Sequence, residues 1–118
     1  MILSNSILED IRERVGLTRE SIEFDSELVT LINGAIMTLR QNGVGSPIVV
    51  EDETKTWQDF KDDSQVNGNE FFSMVQSYLM LSVKVLFDPP PPSMVEHYSQ
   101  KLNEILWRLR LAYEMDNL

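Results

Sequence analysis

His97 is the single imidazole in a chain of 118 residues, and the chain has no cysteine. Zinc sites and nucleophile–base pairs both need several such groups converging on one point. A lone histidine four residues before Lys101, at the start of a helix, reads as a surface side chain. Phosphate-cradling loops also lack material, because Gly16, Gly34, Gly43, Gly45 and Gly68 form neither GxGxxG nor GxxxxGK[ST]. What remains is carboxylate. Glu51, Asp52, Glu53, Asp59, Asp62 and Asp63 crowd one stretch, where hard cations such as Ca²⁺ or Mg²⁺ are the ligands to consider.

The spacing does not support that chemistry. The acids lack the D-x-[DN]-x-[DN]-G alternation of a calcium loop. Glu20 and Glu23 make a lone E-x-x-E, with no E-x-x-D to face it across a bundle as in all-α nucleotide pyrophosphohydrolases. The sequence therefore assigns no catalytic residue, no cofactor and no metal site, and reads the acids as solvated surface. A metal-dependent hydrolase built on the middle acids is the reading set aside; tight Mg²⁺ or Mn²⁺ binding would mark it.

Contact chemistry is better represented. Trp57 and Phe60 sit in a polar connection, where a core role is open but not obvious. Trp107 falls off the main apolar stripe of the last helix, beside Leu106 and near Arg108, Arg110 and Tyr113. Aromatic and arginine side chains together are the usual anchors of protein interfaces. Packing of Trp107 on the chain's own first helix is the competing reading.

These residues need elements to position them, and the apolar spacing is helical almost throughout. Ser6 and Glu9 spell a capping box before Ile7, Leu8, Ile11 and Val15, and Gly16 stops the run. Asp25 or Ser26 caps a second helix with the face Leu28, Ile32, Ala35, Ile36 and Leu39, closed by Asn42-Gly43. Residues 44–69 break the pattern. Ile48-Val49-Val50 reads as a short strand or extended arm, and Thr56 with Asp59 as the cap of one turn. So long a connection is expected to be functional or mobile. A third helix runs from about Asn69 to Phe87, apolar on several faces and hence central. Ser93 with Glu96 then caps a last helix bearing Met94, Tyr98, Leu102, Ile105, Leu109 and Ala112.

Between the two longest helices stands Asp88-Pro89-Pro90-Pro91-Pro92. Proline ends the preceding helix, and a proline run holds a stiff extended segment. We read the four prolines as a strut fixing a hairpin, in preference to a ligand for an aromatic groove. The expected fold class is all-α: one domain, a small bundle of about four helices with a long middle loop and a proline-rigid hairpin between the last two. Leu28, Ile32, Ile36, Phe72, Val75, Leu79, Leu86, Leu102, Ile105 and Leu109 are the expected core.

Nineteen acidic against ten basic residues give a formal charge of −9, which repels nucleic-acid phosphates and anionic membranes. The first residues, Met1 to Ser6, lack the charged region of a signal peptide, and Phe71 to Phe87 is too short and too polar to span a bilayer. The reading is a soluble protein.

The stretch "YLMLSVKVLFDPPPPSMVEHYSQKLNEILWRLRLAYE" resembles the C-terminal half of the head–tail connector (head-completion, or adaptor) proteins of long-tailed bacteriophages. The cues are Leu86-Phe87-Asp88-Pro89-Pro90, then Leu106-Trp107-Arg108-Leu109 and Tyr113. Earlier cues follow in order: Asp25, Leu31-Ile32-Asn33, Asn42-Gly43-Val44-Gly45 and Thr56-Trp57-x-Asp59-Phe60. The longer proline run and residues 61–69 depart from the pattern.

The resemblance implies a non-enzymatic virion protein made in the bacterial host cytoplasm and placed at the head–tail junction. It would form a homo-oligomeric ring under the portal protein, extend the DNA channel and meet a downstream connector or tail-completion protein. DNA would pass without specific binding, and no membrane would be involved. Trp107, Arg108, Arg110 and Tyr113 would dock on the portal. Residues 44–69, with Glu51, Asp52, Glu53, Trp57, Phe60, Asp62 and Asp63, would face the channel or the downstream partner. A small acidic regulatory or protein-binding module is the alternative.

Overall fold

The acidic, cysteine-free chain folds through helix caps and apolar faces. The computed structural model describes residues 5–44, 48–64 and 69–116, with backbone alone at 63, 64, 69, 70, 115 and 116. It contains α1 (Ile7–Arg14), α2 (Asp25–Gln41), α3 (Trp57–Ser64), α4 (Asn69–Phe87) and α5 (Pro92–Asp116). The all-α expectation holds. The fifth helix, α3, grows from the single turn expected after Thr56, and there is no named strand among the described residues.

Local chemistry sets the boundaries. The Ser6 hydroxyl accepts from the Glu9 N–H at 3.3 Å, opening α1. Gly16 and Gly43 take φ of +94° and +80° just past α1 and α2, the left-handed turn in which glycine costs least. There the Leu17 N–H reaches back to the Arg12 carbonyl and the Val44 N–H to the Leu39 carbonyl, each at 2.8 Å, so orphan carbonyls are satisfied. α3 has a complete capping box. The Thr56 N–H donates to Asp59 Oδ2 at 3.0 Å, and the Asp59 N–H to Thr56 Oγ1 at 3.1 Å.

α4 is the centre. It packs against α2, α5 and α1, and α1 also lies on α2. Its buried Phe71, Phe72, Val75, Tyr78, Leu79 and Val83 point to more than one neighbour, as an all-round apolar helix must. Each such side chain contributes roughly 1.5–3 kcal/mol by leaving water. Gln76 is also 1% exposed, and neither its Nε2 nor its Oε1 has a hydrogen-bond partner among the described residues.

Three expectations need correction. Leu86 is not core: it is 63% exposed, while the next residue, Phe87, turns in against the core and meets Phe24. Leu102 and Ile105 are half-buried against the core rather than inside it. The four-proline strut is shorter than expected. Pro92 is the first residue of α5, a position where its missing N–H would have had no helical partner anyway. Ser93 therefore lies in the first turn rather than at the cap, and Asp88 with Pro89, Pro90 and Pro91 makes the connection.

Candidate interaction surfaces

The middle connection is docked, not loose. Its Ile48 and Val50 are buried, and Asn33 of α2 pairs with both backbone groups of Val50 at 2.8 Å each. Further on, the Ile7 N–H donates to the Lys55 carbonyl at 3.0 Å and the Trp57 N–H to the Asn5 carbonyl at 3.1 Å. Ser6 and Thr56 thus form an isolated antiparallel bridge, while Ile48-Val49-Val50 takes the extended-arm alternative and forms no strand.

Arg12 ties the same loop to two helices. Its side chain is 1% exposed, yet it lies on α1. Nε donates to Asp25 Oδ1 at 2.9 Å and Nη2 to Asp25 Oδ2 at 2.5 Å, while Nη2 also reaches Glu53 Oε1 at 2.6 Å. Nη1 donates to the Arg19 carbonyl at 2.5 Å. The bonds to Asp25 are the main reason the guanidinium's pKa is raised, and burial opposes them. Asp25 therefore serves Arg12 rather than capping α2, which starts after Phe24 without a side-chain cap. The sequence signal was there: Arg12 follows Ile11 and stands four residues past Leu8, on the apolar face of α1.

Trp57 and Phe60 correct a functional expectation. Both are fully buried within the chain's own core. Trp57 packs edge-on against Phe60 and Phe72, at ring separations of 6.4 and 6.2 Å, and its indole N–H donates to Asp10 Oδ2 at 3.0 Å. Two apolar side chains three apart give a short polar helix one buried face, and α3 uses it as a lid.

The acids separate into two places. Glu51, Asp52 and Glu53 are exposed and, with Asp25, Ser26 and Thr30, line a shallow depression of about 360 Å³ beside the start of α2. Hydrogen bonds from the Thr54 hydroxyl and N–H hold the Asp52 carboxyl below its ordinary range. Asp62 is exposed on α3 and accepts from Gln58 Nε2 at 2.8 Å. Asp63 is on α3, with its side chain outside the described residues. Among the described residues no group of three or more acidic or histidine side chains is placed to hold a metal ion.

α5 offers the opposite character. It packs chiefly on α4 and leaves Trp107 62% and Leu111 44% exposed, one turn apart. Of the other expected docking residues only Arg110, three positions on from Trp107, borders that face as a same-side neighbour. At 100° per residue Arg108 and Arg110 project to opposite flanks of Trp107. Arg108 pairs with Glu104 at 2.7 Å. Tyr113 turns inward and packs against the core. Between α4 and α5 opens a groove of about 500 Å³, lined by Met74 and Ser77 on one side and His97, Lys101, Glu104 and Arg108 on the other. His97 is exposed, as expected, with its ring edge-on to Tyr98 at 5.8 Å.

No helix among the described residues is long and apolar enough to cross a membrane. No curated protein and no solved structure matches the chain. A family model described as "Phage connector protein" matches residues 7–116. With almost all of its length matched, the chain belongs to the phage connector protein family, a structural rather than enzymatic family whose members work among the head and tail proteins of the virion.

Proposed function

We propose that this chain assembles as a ring beneath the portal at the head–tail junction, extends the DNA channel and presents a platform to the next connector or tail-completion protein. It catalyses no reaction. The observation that carries this reading is the outer face of α5. A tryptophan 62% exposed in mid-helix, one turn from the exposed Leu111, is costly to leave in water. Such a residue flanked by arginines has the make-up of an interface anchor. The portal is the partner this face is assigned to, with Trp107 and Arg110 as its contacts and Tyr113 supporting the helix from within.

Asp62 and Asp63 on α3 are the acids we assign to the channel wall, where negative charge keeps passing phosphates from binding. The test is quantitative mass spectrometry of purified virions, with and without Trp107→Ala. The reading expects wild-type copies equal to those of the portal, retained on capsids after tail removal, and loss of the protein from Trp107→Ala particles. A wild-type protein missing from the particle would overturn it.

A further inference from the structure

The two charged surfaces lie on different sides of the molecule. The acidic loop is held by Arg12 of α1 and Asn33 of α2, whereas the groove belongs to α4 and α5, and α4 stands between α5 and the α1–α2 pair. In the loop, Asp25, Glu51, Asp52 and Glu53 stand against two cations, Arg12 and Lys55, whose charge reaches Asp52, so negative charge remains in excess. In the groove, Lys101 and Arg108 outnumber Glu104, so a chain of net charge −9 carries a locally positive cleft there. Among the described residues no ion pair engages Lys101, and Arg108 contributes one nitrogen, Nη2, to Glu104. A guanidinium has five N–H donors, so Arg108 has capacity for another carboxylate.

We infer that the α4–α5 groove receives the acidic loop of a second copy of this chain, with Glu51 and Asp52 meeting Lys101 and Arg108. This deepens the ring reading and rests on it. The contact joins two different patches, and repeated contacts of that kind lead to a ring when the rotation closes and to a filament when it does not. Charge complementarity sets register and rejects mispaired faces. Glu53 takes no part, because Arg12 already holds it.

Absence of native cysteine makes the test clean. Asp52→Cys and Gln100→Cys are placed together in the full-length chain, virions are assembled, and a mild oxidant is added before non-reducing electrophoresis. A ladder of linked copies, absent when either cysteine stands alone, is the expected result. Monomers throughout, in particles carrying the normal copy number, would overturn the docking while leaving the ring intact. Dimers from Asp52→Cys alone would overturn it in favour of a two-fold contact. Wild-type protein missing from the particle would overturn the ring reading and this one together. Charge exchange supplies a second readout. Lys101→Glu should lower incorporation at least several-fold, and adding Glu51→Lys and Asp52→Lys to the same chain should restore it; failure of that rescue also counts against the contact.

Discussion

The side-chain amide of Asn33 pairs with the backbone of Val50 in both directions: Nδ2 donates to the Val50 carbonyl and Oδ1 accepts from the Val50 N–H, each at 2.8 Å. The side chain does for one residue what a neighbouring strand would do, and it spares a buried segment two unsatisfied backbone groups. Asn33→Ala should lower stability by about 1–3 kcal/mol, since both groups lose their partner inside the protein. Asn33→Asp should not rescue it, because a carboxylate cannot donate to the carbonyl. Urea midpoints, with limited proteolysis across residues 48–56, would check both.

Arg12 should be the most sensitive charged residue. Replacing it by Met keeps the bulk but strands Asp25 and Glu53, which are 27% and 47% exposed. Breaking a fully buried pair costs about 3–5 kcal/mol; with water reaching the acids, roughly 2 kcal/mol is expected here. Asp25→Asn should cost more than Glu53→Gln, because Asp25 takes two of the guanidinium's bonds and Glu53 one. Equal losses for the two in thermal melts would contradict this ordering.

Gln76 points the other way. A buried amide with neither end bonded among the described residues loses its water contacts without replacement there. Gln76→Leu should leave stability unchanged or raise it by about 1 kcal/mol. A loss beyond about 2 kcal/mol would show that the amide has a bonding role in the folded chain.

Asp59 makes the α3 cap sensitive to acid. Bonds from the Thr56 N–H and then its hydroxyl lower the Asp59 pKa in the folded state. A depressed carboxylate stabilises above its unfolded pKa, about 4, and that stabilisation fades as pH falls through the folded value. The advantage of the wild type over Asp59→Asn should therefore be present at pH 6 and shrink on acidification toward pH 2. A constant difference in melting temperature over that range would count against the cap.

The helices and most of the core were legible because their signals are local. The stripe Leu28, Ile32, Ile36, Leu39 names a buried face without knowledge of its neighbours, and all four are buried. Leu86 shows the limit, since periodicity gives a residue's direction but not whether anything stands opposite. For Trp57 and Phe60 the sequence leaves a core role open, because a polar window hides a two-residue apolar face. The Arg12–Asp25–Glu53 network joins residues 13 and 41 positions apart, and no local window contains both ends. Arg108 and Arg110 were grouped by adjacency in sequence, although a helix sends neighbours two apart to different sides.

The proline connection leaves the beginning of α5 in an unusual situation. From Pro91 to His97 every residue is exposed, and Tyr98 is the first to be half-covered. These turns have little besides their own backbone bonds to hold them, so their amides should exchange with deuterated solvent long before those of α4. Opening there uncovers almost no core, and it will leave melting curves and denaturant midpoints untouched. The free chain thus has a graded stability, with a tight centre and a tip close to its own local melting point. A neighbour seated over that tip would register as a slowing of exchange confined to these turns, readable without any change of shape.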